Sequence, residues 1–308
     1  MTNNPELEGE SVARTTKSPS SWVAEVTGEA VERGEALAGG LSSRVERWWL
    51  ADGRSIVTRT HTDADWLVRE PDLIPNEARA LELVAEGTVA GPRLIAADRA
   101  SHRLAMTFVE GSMITDADRL GSLADTIADT AHQISLTPLP HDHGLPPWRS
   151  WAPSELAPPD WGDARLWGEA IDAYRAKPTP SPDRPVLLHR DLHPLNLLWR
   201  PEGSVAVVDW VNACVGHPHA ELGHLRWNLT VLVGLEAADH MLDTYLRRPG
   251  SNGAPATYDA WWDLAPAMSF LPGPIGCSAW HDVGRTDLTP ERVVEQTERF
   301  VADALARS

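Results

Sequence analysis

The segment His189-Arg190-Asp191-Leu192-His193-Pro194-Leu195-Asn196, continued by an apolar run that ends at Asp209, decides how the rest of this 308-residue chain is read. Between Asn196 and Asp209 lie two apolar runs, Leu197-Leu198-Trp199 and Val205-Ala206-Val207-Val208, separated by Arg200-Pro201-Glu202-Gly203-Ser204. Pro and Gly in such a linker are turn chemistry, so the segment predicts a β-hairpin. A hairpin centred between Glu202 and Gly203 pairs residues whose numbers sum to 405, which sets Asn196 opposite Asp209 at the open end. Asp191 stands five residues upstream, in the preceding loop. An Asp and an Asn that leave most of a coordination shell to phosphates and water suit Mg²⁺. A second Asp that need not bind metal can orient and deprotonate a hydroxyl. Asn196 and Asp209 are thus the candidate metal ligands and Asp191 the candidate base.

The pattern H-R-D-x-x-x-x-N followed by a separate Asp resembles the catalytic loop of protein kinases. His193-Pro194 inside the loop and Trp210 after the second Asp bring it closer to the aminoglycoside phosphotransferase and choline kinase-like family of small-molecule kinases. The resemblance implies an α+β, two-lobed protein-kinase-like fold with a small β-rich N-terminal lobe carrying one helix and a larger, mainly helical C-terminal lobe. It also implies ATP or GTP as donor, Mg²⁺ as cofactor, and the hydroxyl of a small molecule, such as an aminoglycoside or another antibiotic, as acceptor.

Further out, residues 1–20 are polar and predict a disordered tail, 21–108 the nucleotide-binding lobe, and 109–308 the catalytic and acceptor-binding lobe. Alternation predicts strands over about 31–38, 44–51 and 55–61, with Asp52-Gly53 as a tight turn, and further strands near 93–98 and 103–109. Pro75-Asn76-Glu77 opens a helix that runs to Glu86 and ends at Gly87. Apolar residues at spacings of three and four predict helices over 116–135, 161–176, 219–233, 235–247 and 290–306, with an irregular Pro- and Trp-rich connection at 137–160.

Several other residues fit phosphate chemistry. In Gly39-Gly40-Leu41-Ser42-Ser43, at the first strand-to-strand turn, Gly39 and Gly40 let backbone amides approach phosphates while Ser42 and Ser43 add hydroxyl donors. Glu77 shares a helix face with Ala80, Leu81 and Val84, and an acid on an apolar face wants a cation. Arg59, on the third predicted strand, is that cation; the family more often has Lys there, contacting the nucleotide phosphates. Met106-Thr107-Phe108-Val109-Glu110-Gly111 resembles the family's hinge, where backbone groups of Thr107, Phe108 and Val109 would meet the purine edge. Gly216-His217-Pro218-His219-Ala220-Glu221-Leu222 resembles the family's Gly-Asp-Pro-x-x-Asp-Leu, so Glu221 would brace the catalytic loop. Arg190 and Leu195 replace common family glycines. Trp148, Trp151, Trp161, Trp167, Trp261, Trp262 and Trp280 lie where family members build acceptor-pocket walls, although core packing accounts equally well for each.

Composition bounds the partners. Lys+Arg 27 against Asp+Glu 44 leaves a net charge of −17, which disfavours nucleic acid and favours an amine-bearing acceptor. Two cysteines, no signal-like start and no run long enough to span a bilayer point to a soluble cytoplasmic protein. Two rival readings stay open: a nucleotide-binding sensor on the same fold, and a metallohydrolase using His189, Asp191 and His193 as ligands. His141, His143, His217 and His219 read as surface-loop histidines.

Overall fold

The computed structural model describes residues 18–37, 43–182, 184–248, 257–273 and 276–308. The first part of the chain forms α1 (Pro19–Thr27), β1 (Val31–Ala36), β2 (Ser43–Leu50), β3 (Ser55–His61), α2 (Ala64–Arg69), α3 (Leu73–Ala85), β4 (Leu94–Asp98) and β5 (Arg103–Thr107). Then come α4 (Ala117–Ser122), α5 (Ala124–Ser135), α6 (Ala164–Arg175), β6 (Val186–Leu188), β7 (Leu197–Trp199), β8 (Val205–Val207) and β9 (Cys214–Gly216). Helices α7 (Pro218–Leu232), α8 (Leu235–Leu246), α9 (Trp261–Met268), α10 (Ser278–Asp282) and α11 (Pro290–Ala306) complete it. This is the two-lobed, kinase-like α+β arrangement: an antiparallel five-stranded sheet of order β1-β2-β3-β5-β4, followed by a mainly helical lobe.

The period of two along β3 sorts its side chains. Ile56 and Thr58 face one way, where Trp48, Leu50 and Ala105 join Trp22 and Val23 of α1 in a core, and Trp48 Nε1 donates to Thr58 Oγ1 at 2.8 Å. Val57 and Arg59 face the other way, opposite Arg47 and Val45 of β2 and Met106 and Leu104 of β5. Helix α1 corrects part of the expected tail: Ser18 caps it by accepting from Ser21 N, and the helix begins at Pro19 because Trp22 and Val23 cover the sheet. Residues 1–17 lie outside the described residues. The helix expected over 116–135 is broken at Leu123, where Gly121 and Ser122 weaken it.

The predicted hairpin is present with a different register. Leu197 pairs with Val207, Leu198 with Ala206 and Trp199 with Val205, so the pairs sum to 404, and Val208 N donates to Asn196 O at 3.0 Å. Asn196 therefore faces Val208, with Asp209 one residue beyond. The cause is a three-residue loop: Arg200 N donates to Ser204 O, Gly203 N donates back to Arg200 O, and Gly203 takes φ +85°. The hairpin is stitched to both sides of the molecule. Val207 N donates to Ala90 O at 2.8 Å, between α3 and β4, while Ser112 and Trp199 exchange backbone hydrogen bonds of 3.0 and 2.9 Å.

Helix α7 is buried on nearly every side. That corrects the surface reading of His217 and His219, which are 6% and 0% exposed; His217 caps the helix and stacks on Trp262. Gly223 lets α9 approach so closely that a Cβ would lie 1.9 Å from the Trp262 carbonyl oxygen. Arg226, fully buried, bonds Asp263 and Asp239 and so ties α7 to α9 and α8.

Candidate active site

The catalytic-loop segment is held from behind by a buried carboxylate. Glu221, 3% exposed on the first turn of α7, accepts from His189 N at 2.5 Å and from Arg190 N at 3.0 Å. Burial raises the Glu221 carboxyl, against the lowering pull of His189 and these two amides. His189 adds a second brace: its Nε2 donates to Val208 O at 2.8 Å, its Nδ1 accepts from Asp191 N, and its ring packs against Trp210. Both ring nitrogens are thus spent on backbone, and among the described residues no three His, Cys, Asp or Glu side chains group as metal ligands. The set His189, Asp191 and His193 does not form a metal centre of the hydrolase type.

Of the three described non-glycine residues with left-handed φ, two are here: Arg190 at +70° and Asp209 at +68°. Such a conformation costs about 1–2 kcal/mol for an L residue, and it clusters where geometry is over-determined by its surroundings. At Arg190 it is a conformation that glycine would take without that cost. The Arg190 side chain turns from solvent and lies over Trp151, 3.9 Å from the ring centroid.

Asp191 is surrounded by donors. His224 Nε2 lies 3.1 Å and His193 Nε2 3.6 Å from its Oδ1, and Asn212 Nδ2 lies 3.4 Å from its Oδ2. Burial alone would raise this carboxyl, but His193, His224 and His189 outweigh burial and hold it well below the usual carboxylate range. Asn196 donates its Nδ2 to Asp191 O at 2.9 Å, so the Asp191 backbone and the Asn196 amide are locked in one turn. Asn196 and Asp209 both sit at the open end of the hairpin, but offset by one residue rather than opposed as expected.

Arg59 connects the sheet to this end. Its Nη1 lies 3.2 Å from Glu77 Oε1 and 2.5 Å from Asp209 Oδ1. Burial would lower the guanidinium, but the two carboxylates raise it, so it stays charged; Asp209, raised by burial, is in turn pulled below its ordinary value by Arg59. The donor chemistry fits a hard divalent cation. Asn196 spends its amide N–H on protein and keeps its oxygen, and Asp209 commits one carboxylate oxygen to Arg59.

Gly39, Gly40 and Ser42 fall outside the described residues, while Ser43 is buried in β2 opposite His61. At the hinge, Thr107 N donates to Arg93 O and Phe108 N to Ser55 O, which leaves Val109 N–H as the one of the three without an acceptor among the described residues. Most of the tryptophans are core: Trp167, Trp261, Trp262 and Trp280 are at most 6% exposed. Trp148 and Trp161 are half-buried, and Trp151 is 45% exposed and 5.9 Å from the His224 ring. Sequence reasoning missed His224, Asn212 and Asn228, which no motif marks.

Solved structures share this fold at low identity. Macrolide 2'-phosphotransferase MphH from Brachybacterium faecium is 21% identical, with TM-score 0.57 over 89% of this chain and 95% of its own. Aminoglycoside phosphotransferase APH(4)-Ia, as a thermostable mutant in ternary complex with ADP and hygromycin B, is 14% identical, with TM-score 0.59 over 95% of this chain and 99% of its own. Spectinomycin phosphotransferase APH(9)-Ia, in complex with ADP and spectinomycin, is 12% identical, with TM-score 0.60 over 92% and 98%. No curated protein matches the chain. The model of the phosphotransferase enzyme family, APH, matches residues 33–272. The chain belongs to that phosphotransferase enzyme family and shares its kinase-like fold.

Proposed function

We propose that this protein transfers the γ-phosphate of ATP or GTP to a hydroxyl of a small, polyhydroxylated acceptor. The observation that carries this reading is the division of labour among three side chains. Asp191 is held ionised by histidines, while Asp209 pairs with Arg59 and Asn196, one residue out of register with it at the open end of the hairpin, keeps its amide oxygen. Asp191 orients the acceptor hydroxyl and receives its proton; Arg59, fixed by Glu77, faces the nucleotide phosphates; Val109 N–H meets the purine edge. Bound between Asn196 and Asp209, Mg²⁺ would neutralise charge on the transferring phosphate. Two relatives bind hygromycin B and spectinomycin alongside ADP, which supports an acceptor of that polyhydroxyl type, an antibiotic among the candidates.

The test is ADP release across a panel of aminoglycosides, macrolides, amino alcohols and sugars, with phosphorylated product confirmed by mass spectrometry. Asp191→Asn should lower turnover by about 10²-fold or more, with nucleotide affinity retained. Asp209→Asn should abolish magnesium-dependent nucleotide binding. Thermal stabilisation by nucleotide without turnover on any acceptor would favour a sensor instead.

A further inference from the structure

A cavity of about 660 Å³ is lined by none of Arg59, Asp191, Asn196 or Asp209. It lies against the hinge, walled by Thr107–Glu110, by the connection from α3 to β4, and by the turn between β7 and β8. Arg47 of β2, Arg93 before β4 and Arg200 of the hairpin turn all line it, and Glu110 is the one carboxylate that does. On a chain of net charge −17 this is a local reversal of sign.

Arg47 is mounted as a receptor rather than as a solvated surface cation. Its guanidinium is sandwiched between Phe108, 3.6 Å from the ring centroid, and Trp49, at 4.3 Å; Arg33 covers the other side of Trp49 at 3.7 Å. Stacking spends the faces of the guanidinium and leaves its N–H edge. One edge nitrogen donates to Ser55 Oγ at 3.1 Å, while Nε is buried with no hydrogen-bond partner. Arg47 and Arg93 have no carboxylate at ion-pair distance among the described residues, and Arg200 reaches only the exposed Glu202, at 3.1 Å. A buried, unsatisfied guanidinium N–H is costly to keep unless something accepts from it, and a planar fork matches carboxylate or phosphate oxygens in a bidentate way.

We propose that this cavity binds a small multivalent anion, a phosphate ester or polycarboxylate, at a site separate from the Asp191 centre. The occupant bridges Arg47 on the sheet to Arg93 and Arg200, and so fixes the hinge segment Thr107–Glu110, which shares the cavity wall. Phe108 then carries the signal, since it is both the stacking partner of Arg47 and a hinge residue.

Calorimetric titration with citrate and, in parallel, with pyrophosphate, both free of divalent metal and at ionic strength held constant with KCl, separates the two chemistries. At least one probe should bind saturably, and Arg47→Gln with Arg93→Gln should weaken it tenfold or more. Hydrogen exchange on the wild-type chain locates the site without any substitution: protection is expected at 84–93 and 107–110. Absence of saturable binding by both probes, unchanged affinity in the double variant, or protection at 189–196 and 209 instead would each overturn the proposal.

Discussion

His224 Nε2 and Asp191 Oδ1 lie 3.1 Å apart, joining residues 33 positions distant in the chain. Asn228 Nδ2 approaches the same ring nitrogen, also at 3.1 Å. Asn228 Nδ2 also donates to His224 O at 3.1 Å, so Nε2 can keep its proton and donate it to the ionised Asp191. That geometry keeps the Asp191 carboxylate ionised, as the role proposed for it requires.

Replacing His224 with Asn should move the acid limb of kcat/KM upward in pH, because one of the groups that depresses the Asp191 carboxyl is gone. Turnover should fall about tenfold or more. The pH profile of the purified variant checks this; an unmoved acid limb would show that His224 only fills space.

Glu77→Gln removes one of the two carboxylates that hold Arg59, at a site where Glu77 is 1% exposed. Breaking a buried pair by removing one partner costs about 3–5 kcal/mol. Urea denaturation should show a loss of this order, less whatever Asp209 retains, together with a raised KM for nucleotide. Stability within experimental error of the wild type would contradict the geometry.

Gly223→Ala forces a methyl group into the Trp262 carbonyl and must push α7 away from α9. Overpacking costs about 1–3 kcal/mol, occasionally more, so Tm should drop. Gly168→Ala in α6 is the control: nothing lies within 4 Å of its Cβ position, and helix propensity should raise stability by about 0.8–1 kcal/mol. Equal effects of the two substitutions would refute the close crossing.

Burial, then the neighbouring His217, push the His219 imidazole down to about 3, and neither of its ring nitrogens has a hydrogen-bond partner. Its folded value lies below its unfolded value, near 6.5. The stability tied to its neutral form is therefore complete above pH 6.5 and is lost as pH falls towards 3. The urea midpoint should decline across that window, and His219→Phe should flatten the decline while keeping the fold. Identical slopes for the two proteins would count against it.

The local chemistry of the site was readable in one dimension. Five strands, the hairpin, the pairing of Arg59 with Glu77 and the bracing role of Glu221 all follow from alternation, turn residues or family likeness. The hairpin register did not, because Gly203 in a left-handed conformation adds a residue to the loop, and the sequence admits both counts. His224 was hidden because α7 is buried all round: without a polar face, no periodicity separates a residue aimed at Asp191 from one aimed at core. Helix α1 was missed because only Trp22 and Val23 anchor it, and its burial partners lie on strands that follow.

The backbone stitching of the β7–β8 hairpin has a mechanical consequence. With Ala90 bonded to Val207 and Ser112 to Trp199, this hairpin forms the pivot line about which the sheet and the helical lobe can turn relative to each other. Displacement grows with distance from a pivot. Side chains at the hairpin's open end, close to these bonds, should therefore be displaced least by any such turning.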